Sequence, residues 1–188
     1  MKLAWIFLLM MSLNLNWLQA ADKKSGPLDL VEKAAAAYRS GKTGEALKLA
    51  ERAVKAEPDN PRLHYFKGQL HSAQRQYNEA AAAYTKVLNL KPGKGMEADT
   101  HQERGEVYFK AAKIKQSIAD FDAFLKANPQ RDPHHWQRGI SYYYANEFKK
   151  GYEQFERHQV VNSNDVENAV WHFLCLARAN GIDEAKKK

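Results

Sequence analysis

The stretch PRLHYFKGQLHSAQRQYNEAAAAYTKVLNLKP, residues 61–92, decides how this chain folds. Apolar residues recur three and four apart on either side of Arg75-Gln76-Tyr77. That is the pattern of two amphipathic helices joined by a tight turn. The spacing predicts helices over 62–74 and 78–90. Gly68 marks a place where the partner helix comes close, with Ala80 expected opposite it and Tyr77 plugging the turn. Pro92 stops the second helix, because its ring has no N–H to continue the ladder.

The pattern repeats along the chain. Thirty-four residues earlier, Pro92 becomes Pro58, Ala80 becomes Ala46, Gly68 becomes Ala34 and Val87 becomes Ala53. Thirty-seven residues later, Pro92 becomes Pro129, Gly68 becomes Gly105, Tyr77 becomes Ile114 and Tyr84 becomes Phe121. The three extra residues fall in the Gly93-Lys94-Gly95 loop, whose glycines absorb them. A further shift of thirty-four turns Gly105 into Gly139, Tyr108 into Tyr142, Ile114 into Phe148 and Phe121 into Phe155. Here Ser163 replaces the closing proline and Gly151 takes the alanine slot.

These residues and their period resemble the tetratricopeptide repeat (TPR) family, whose unit is a helix–turn–helix of 34 residues. The resemblance implies an all-α, right-handed α-solenoid. Its units would run at about 27–60, 61–94, 98–131 and 132–165, with a partial fifth at 166–188. It implies a non-catalytic protein–protein interaction scaffold, and the fold class alone does not name the partner. In layout the chain is similar to exported bacterial TPR adaptors of the cell envelope.

The beginning of the chain supports export. Residues 1–20 have one early charge, Lys2, then an apolar run, and end in Gln19-Ala20 before Ala21. That is the pattern of a secretory signal peptide, with cleavage expected after Ala20 and a linker over 21–26. The apolar run, interrupted by Asn14 and Asn16, is short for a membrane span of about 20 residues. A periplasmic or secreted location is therefore expected. The single cysteine, Cys175, cannot close an internal disulfide, so packing must hold the fold. The formal charge of +7 gathers largely at Lys2, Lys23-Lys24 and Lys186-Lys187-Lys188, which leaves the body close to balanced. Nucleic acid is accordingly not an expected partner.

In a TPR array the first helix of each pair lines a concave face. The matching positions here are Tyr38 and Arg39, then Tyr65 and Gln69, then Gln102, Glu106, Phe109 and Lys110, then Trp136, Ile140, Tyr143 and Tyr144. Tyr38, Arg39, Tyr65, Gln69, Phe109, Lys110, Trp136, Tyr143 and Tyr144 form the expected partner-binding set. Large aromatic surfaces with polar edges suit an extended peptide or a partner helix. Val31, Ala35 and Gln69 stand where relatives that clamp chaperone carboxylate tails carry lysine and asparagine, so that function does not transfer.

The alternative reading uses the C-terminal His/Cys cluster. His135, His158, His172 and Cys175 would bind a metal or small ligand, with His172 and Cys175 on one helical face. No C-x-x-C or H-E-x-x-H spacing is present, and packing explains the four residues without chemistry. No cofactor is expected. Catalysis has little to rest on: there is no G-x-S-x-G and no P-loop, and Cys175 near a histidine is a pairing that chance supplies. Asp120, Asp122, Glu153 and Glu156 read as solvated helix faces.

The segment 166–179 is strongly apolar, with Val170, Trp171, Phe173, Leu174 and Leu176. Solenoids normally finish in a polar-faced capping helix. A homo-oligomer through this helix, a partner that covers it, or further chain beyond Lys188 would each account for the apolar face.

Overall fold

The computed structural model describes residues 26–187. The expected export signal lies outside them, as does the expected linker except for Gly26. The helices are α1 (Pro27–Arg39), α2 (Thr43–Ala56), α3 (Pro61–Ala73), α4 (Tyr77–Asn89), α5 (Lys94–Lys110) and α6 (Ile114–Ala127). A 3-10 segment (Pro129–His134) follows, then α7 (Trp136–Tyr144), α8 (Phe148–Val161), α9 (Val166–Asn180) and α10 (Ile182–Ala185). No strand occurs among the described residues. The chain divides after Leu63 into two compact units.

The period seen in the sequence is written into the backbone of the turns. Gly41, Arg75, Ala112 and Asn146 all have positive φ, at 75°, 59°, 57° and 60°. Each sits just past the first helix of a pair. The following N–H reaches back to a carbonyl five residues earlier: Lys42 to Ala37, Gln76 to His71, Lys113 to Tyr108 and Glu147 to Tyr142, at 2.9, 2.9, 2.8 and 2.9 Å. This closure satisfies carbonyls that the helix end would otherwise leave bare. Glycine enters the left-handed region freely, whereas a Cβ there costs about 1–2 kcal/mol. Ala112→Gly is therefore expected to stabilise the protein by up to about 1 kcal/mol, read as a rise in the urea midpoint at unchanged slope.

Helices α3 and α4 begin and end one residue earlier than the sequence predicts. Pro61 suits the first helical position, where no N–H is needed, and Asn60 Oδ1 accepts the Arg62 N–H at 3.0 Å. Tyr77 joins α4 rather than plugging the turn; it packs on the cluster of Ala80, Ala81, Tyr84 and Val107. The group facing Gly68 is the Tyr84 ring, not Ala80. A Cβ at Gly68 would stand 2.6 Å from that ring. The same contact recurs at Gly105 against Phe121 and at Gly139 against Phe155, each at 2.7 Å. Tyr84, Phe121 and Phe155 are fully buried, so the rings have nowhere to retreat.

Within the second unit, successive pairs meet through another periodic contact. Ala80 shares a core cluster with Val107. One pair later the Ser117 and Ser141 hydroxyls lie 3.4 Å apart. One pair later again, the Cys175 sulfur fills the space beside Gly151, 2.8 Å from where a Cβ would be. Small residues at 80, 117 and 151 thus let each pair dock on the next. The first unit has its own core of Leu30, Ala53 and Leu63, packed against Val31, Leu49 and Val54.

Candidate interaction face

Helices α5, α7 and α9 are first members of successive pairs, and they bring their aromatic residues together. Phe109 on α5 meets Tyr144 on α7 edge-on, with ring centroids 6.0 Å apart. Tyr143 and Tyr144 meet at 5.8 Å, and Tyr143 meets Trp171 on α9 at 5.4 Å. Tyr144 lies 6.2 Å from Trp171. Phe148, at the start of α8, packs on Tyr143 at 5.5 Å and carries the Arg178 guanidinium 4.4 Å above its ring. Edge-to-face contacts hold the rings in fixed orientations. Tyr144 nevertheless keeps 56% of its surface exposed, so the assembly is a rigid aromatic face open to solvent.

The expected binding residues fall into several places. Tyr38 and Arg39 are exposed, on α1 of the first unit. In the second unit Tyr65 is half-buried with its ring 5.5 Å from Tyr84, and Gln69 is exposed on α3. Lys110 is exposed and pairs with Glu106 at 3.6 Å. Trp136 is exposed at the start of α7. Phe109, Tyr143 and Tyr144 belong to the aromatic face. Ile140, also expected in the groove, is buried instead with Phe155 and Cys175. Trp171 and Phe148 complete the face but were not among the expected residues. Trp171 is masked in the sequence by its neighbours Val170, Phe173 and Leu174, which read as one apolar run.

Beside this face α5 carries Asp99, Glu103 and Glu106. Burial, and next the Glu106 charge, raise the Glu103 carboxyl above the usual range. The Tyr84 hydroxyl donates to Glu103 at 3.4 Å. Tyr65 is pushed up to about 12, first by burial and then by Glu103, Asp99 and Glu106.

Behind the face runs a buried polar layer. Asp120, read from the sequence as solvated, is only 3% exposed. It accepts two bonds from Arg104, both at 2.8 Å, and one from His101 Nδ1 at 2.7 Å. Asp122, by contrast, is half-exposed and pairs with Arg138 at 2.9 Å. Arg138 also holds Gln154, through Nε at 3.1 Å, and Asp132 of the 3-10 segment.

The His/Cys cluster does not assemble. Among the described residues no three His, Cys, Asp or Glu side chains stand together as metal ligands. His135 Nδ1 accepts the Arg138 N–H at 3.2 Å and caps α7, so Nε2 carries the proton and donates to Gln102 at 2.8 Å. His158 donates from Nδ1 to the Pro133 carbonyl at 3.0 Å and accepts from Asn168 at 2.7 Å. His172 stacks on Tyr152 with centroids 4.7 Å apart. Burial pushes the Cys175 thiol up to about 12, so it stays protonated at neutral pH. Among the described residues no helix is long and apolar enough to cross a membrane.

Residues 31–94 match the family model of the tetratricopeptide repeat. That segment carries tetratricopeptide repeats. Solved TPR structures share the fold over most of the chain's length. MamA from Desulfovibrio magneticus RS-1 superposes with a TM-score of 0.75 at 19% identity, over 86% of this chain and 89% of that one. YrrB, described as a TPR protein with an unusual peptide-binding site, gives 0.76 at 14% identity over 90% and 87%. A tetratricopeptide repeat protein from Parabacteroides merdae gives 0.73 at 21% identity over 86% and 63%. No curated protein matches the chain. The TPR is a scaffold for protein–protein contact, and its partners are proteins or peptides.

Proposed function

We propose that this TPR protein is a non-catalytic adaptor of the bacterial cell envelope, periplasmic or secreted, that holds a peptide or partner helix against the aromatic face of its second unit. One observation carries the reading: Phe109, Tyr143, Tyr144 and Trp171, from three successive first helices, form one continuous surface. Such rings supply large contact area at low entropic cost, and Tyr and Trp dominate binding energy where they are buried by a partner. The acidic residues of α5 and the amides of Gln102 and Gln137 lie along the same series of helices and supply polar contacts. Export rests on the sequence pattern of residues 1–20, and the near-balanced charge of the body speaks against nucleic acid. The protonated Cys175 thiol, packed with Ile140 and Phe155, has no part in such a role beyond filling space.

The test is a photo-crosslinking residue at position 144, compared with one at Glu51 on α2. A discrete protein adduct from position 144 alone is expected in cells that make the protein naturally. Tyr144→Ala is expected to weaken binding of the captured partner by roughly 2 kcal/mol, about 30-fold. Equal labelling from both positions, or none from 144, would overturn the reading.

A further inference from the structure

We infer that the segment held against the aromatic face is basic, with its lysine or arginine side chains over Asp99, Glu103 and Glu106 of α5. The inference rests on the function proposed above: exposed rings mark where a partner sits, and the charges beside them say what it carries. Asp99 is exposed, and Glu103 and Glu106 are half-buried. They follow one another at four and three residues, so they share one side of α5. All three raise the Tyr65 hydroxyl, which places their charge around one spot between α3 and α5. The same side of α5 runs on to Phe109, three residues past Glu106, and so into the ring face. Gln102 ties the two regions together, donating at 3.0 Å both to Glu106 and to Gln137 of α7.

Among the described residues one lysine answers these three acids. Lys110 pairs with Glu106 at 3.6 Å, and neither Asp99 nor Glu103 has a lysine or arginine within ion-pair distance. Arg104, next to Glu103 in the chain, is held by Asp120 instead. Burial and the Glu106 charge raise the Glu103 carboxyl, so an arriving cation relieves a charge that the free protein holds at a cost. The other end of the face has the opposite sign. The rings run in contact from Phe109 through Tyr144 and Tyr143 to Phe148, and Arg178 lies 4.4 Å above Phe148. Basic residues over α5 meet attraction and are kept away from Arg178, so charge sets which way the segment lies. Asp99 and Phe109 are ten residues apart on α5, about 15 Å. About four or five residues of extended chain span that distance. The element recognised is therefore short: basic residues at one end and an aromatic or aliphatic side chain at the other.

Fluorescence anisotropy with labelled peptides of about ten residues tests this. Each carries tryptophans and a run of lysines, in either order, and has twins with glutamine or glutamate in place of lysine. In its better order the lysine peptide is expected to bind about tenfold tighter than the glutamine twin, and to lose that advantage as salt is raised to about 1 M. Glu103→Gln with Glu106→Gln is expected to cut the preference for lysine over glutamine to about twofold, with an unchanged helical circular dichroism spectrum. Asp99→Asn, at an exposed position, is expected to cut it about threefold and serves if the double variant does not fold. No binding by any of the peptides would overturn the inference. So would a tighter glutamate peptide, or a lysine preference that survives these variants. Tyr144→Ala, expected to weaken every peptide alike, tells the two readings apart. Lysine and glutamine peptides that bind equally, and are both weakened by Tyr144→Ala, would sink this inference and leave the aromatic site standing. A lysine peptide indifferent to Tyr144→Ala would sink the aromatic site and this inference with it.

Discussion

Asp120→Ala is expected to destabilise the protein by about 3–5 kcal/mol, measured as equilibrium unfolding in urea. Asp120 is buried and takes three hydrogen bonds from Arg104 and His101. Removing it does more than delete a favourable pair. The Arg104 guanidinium, itself largely enclosed, is left among packed helices with a neutral bond to Thr85, at 2.9 Å, and the Tyr108 ring, 5.6 Å away, in place of its counter-charge. An uncompensated buried charge is among the few single changes that costs this much. Replacing both partners separates the pair's own contribution from the cost of orphaning one of them. Arg104→Met with Asp120→Leu keeps the volume and leaves no charge behind. It is expected to cost distinctly less than Asp120→Ala alone. A double variant as damaging as the single one would show that the carboxylate matters for some reason other than its partner.

Acid is expected to remove about 3 kcal/mol through one histidine. Burial, helped by the Arg138 charge, pushes His135 down to about 4, while its ordinary value is about 6.5. A base with a lowered folded value is neutral in the native state and charged in the unfolded chain between those two limits. The unfolded state then binds more protons, so stability rises with pH across that window. It is complete above about 6.5 and falls away as pH drops toward 4. The cause is local: a proton on Nδ1 would meet the Arg138 N–H that this nitrogen caps. Glu103 works in the opposite sense, because its carboxyl is raised and acid relieves it. His135→Asn isolates the histidine, since asparagine can still cap α7. Unfolding at pH 7 and pH 4.5 is expected to differ by about 2–3 kcal/mol less in this variant than in the wild type. An unchanged pH dependence would rule out His135 as the source.

What was legible follows from what the repeat constrains. Glycines at 68, 105 and 139 and aromatic rings sixteen residues later are chemical necessities of close helix contact, so they stand out at a fixed period. The place of Phe109 and Tyr143 at the same point of successive first helices is visible for the same reason. Asp120 was misread because a charge on an amphipathic helix is usually solvated. Its signal was present: Arg104 and Asp120 are also sixteen apart, one residue before Gly105 and Phe121, and Arg138 and Gln154 repeat the offset. The pair is carried inside by the same approach that the glycine permits. Ile140 was assigned to the groove, but α7 turns it toward Phe155 and Cys175, where burial is worth more than a contact not yet made. Trp171 joins the face only through packing between pairs, which a period within pairs does not encode.

Repeat arrays can fray in steps, each pair detaching from its neighbour at modest cost. Arg138 works against that. Its single guanidinium ties Asp122 of α6, Asp132 of the 3-10 segment and Gln154 of α8 to α7. Opening any one of these elements takes a partner from a guanidinium that is otherwise buried. The stretch from α6 to α8 is therefore expected to open as one block, seen as matched amide-exchange protection across it. The aromatic face takes Tyr143 and Tyr144 from this block and Trp171 from α9 beyond it. Its middle is therefore tied to three elements at once, while its α9 edge is held to it by the contacts of Trp171 with Tyr143 and Tyr144.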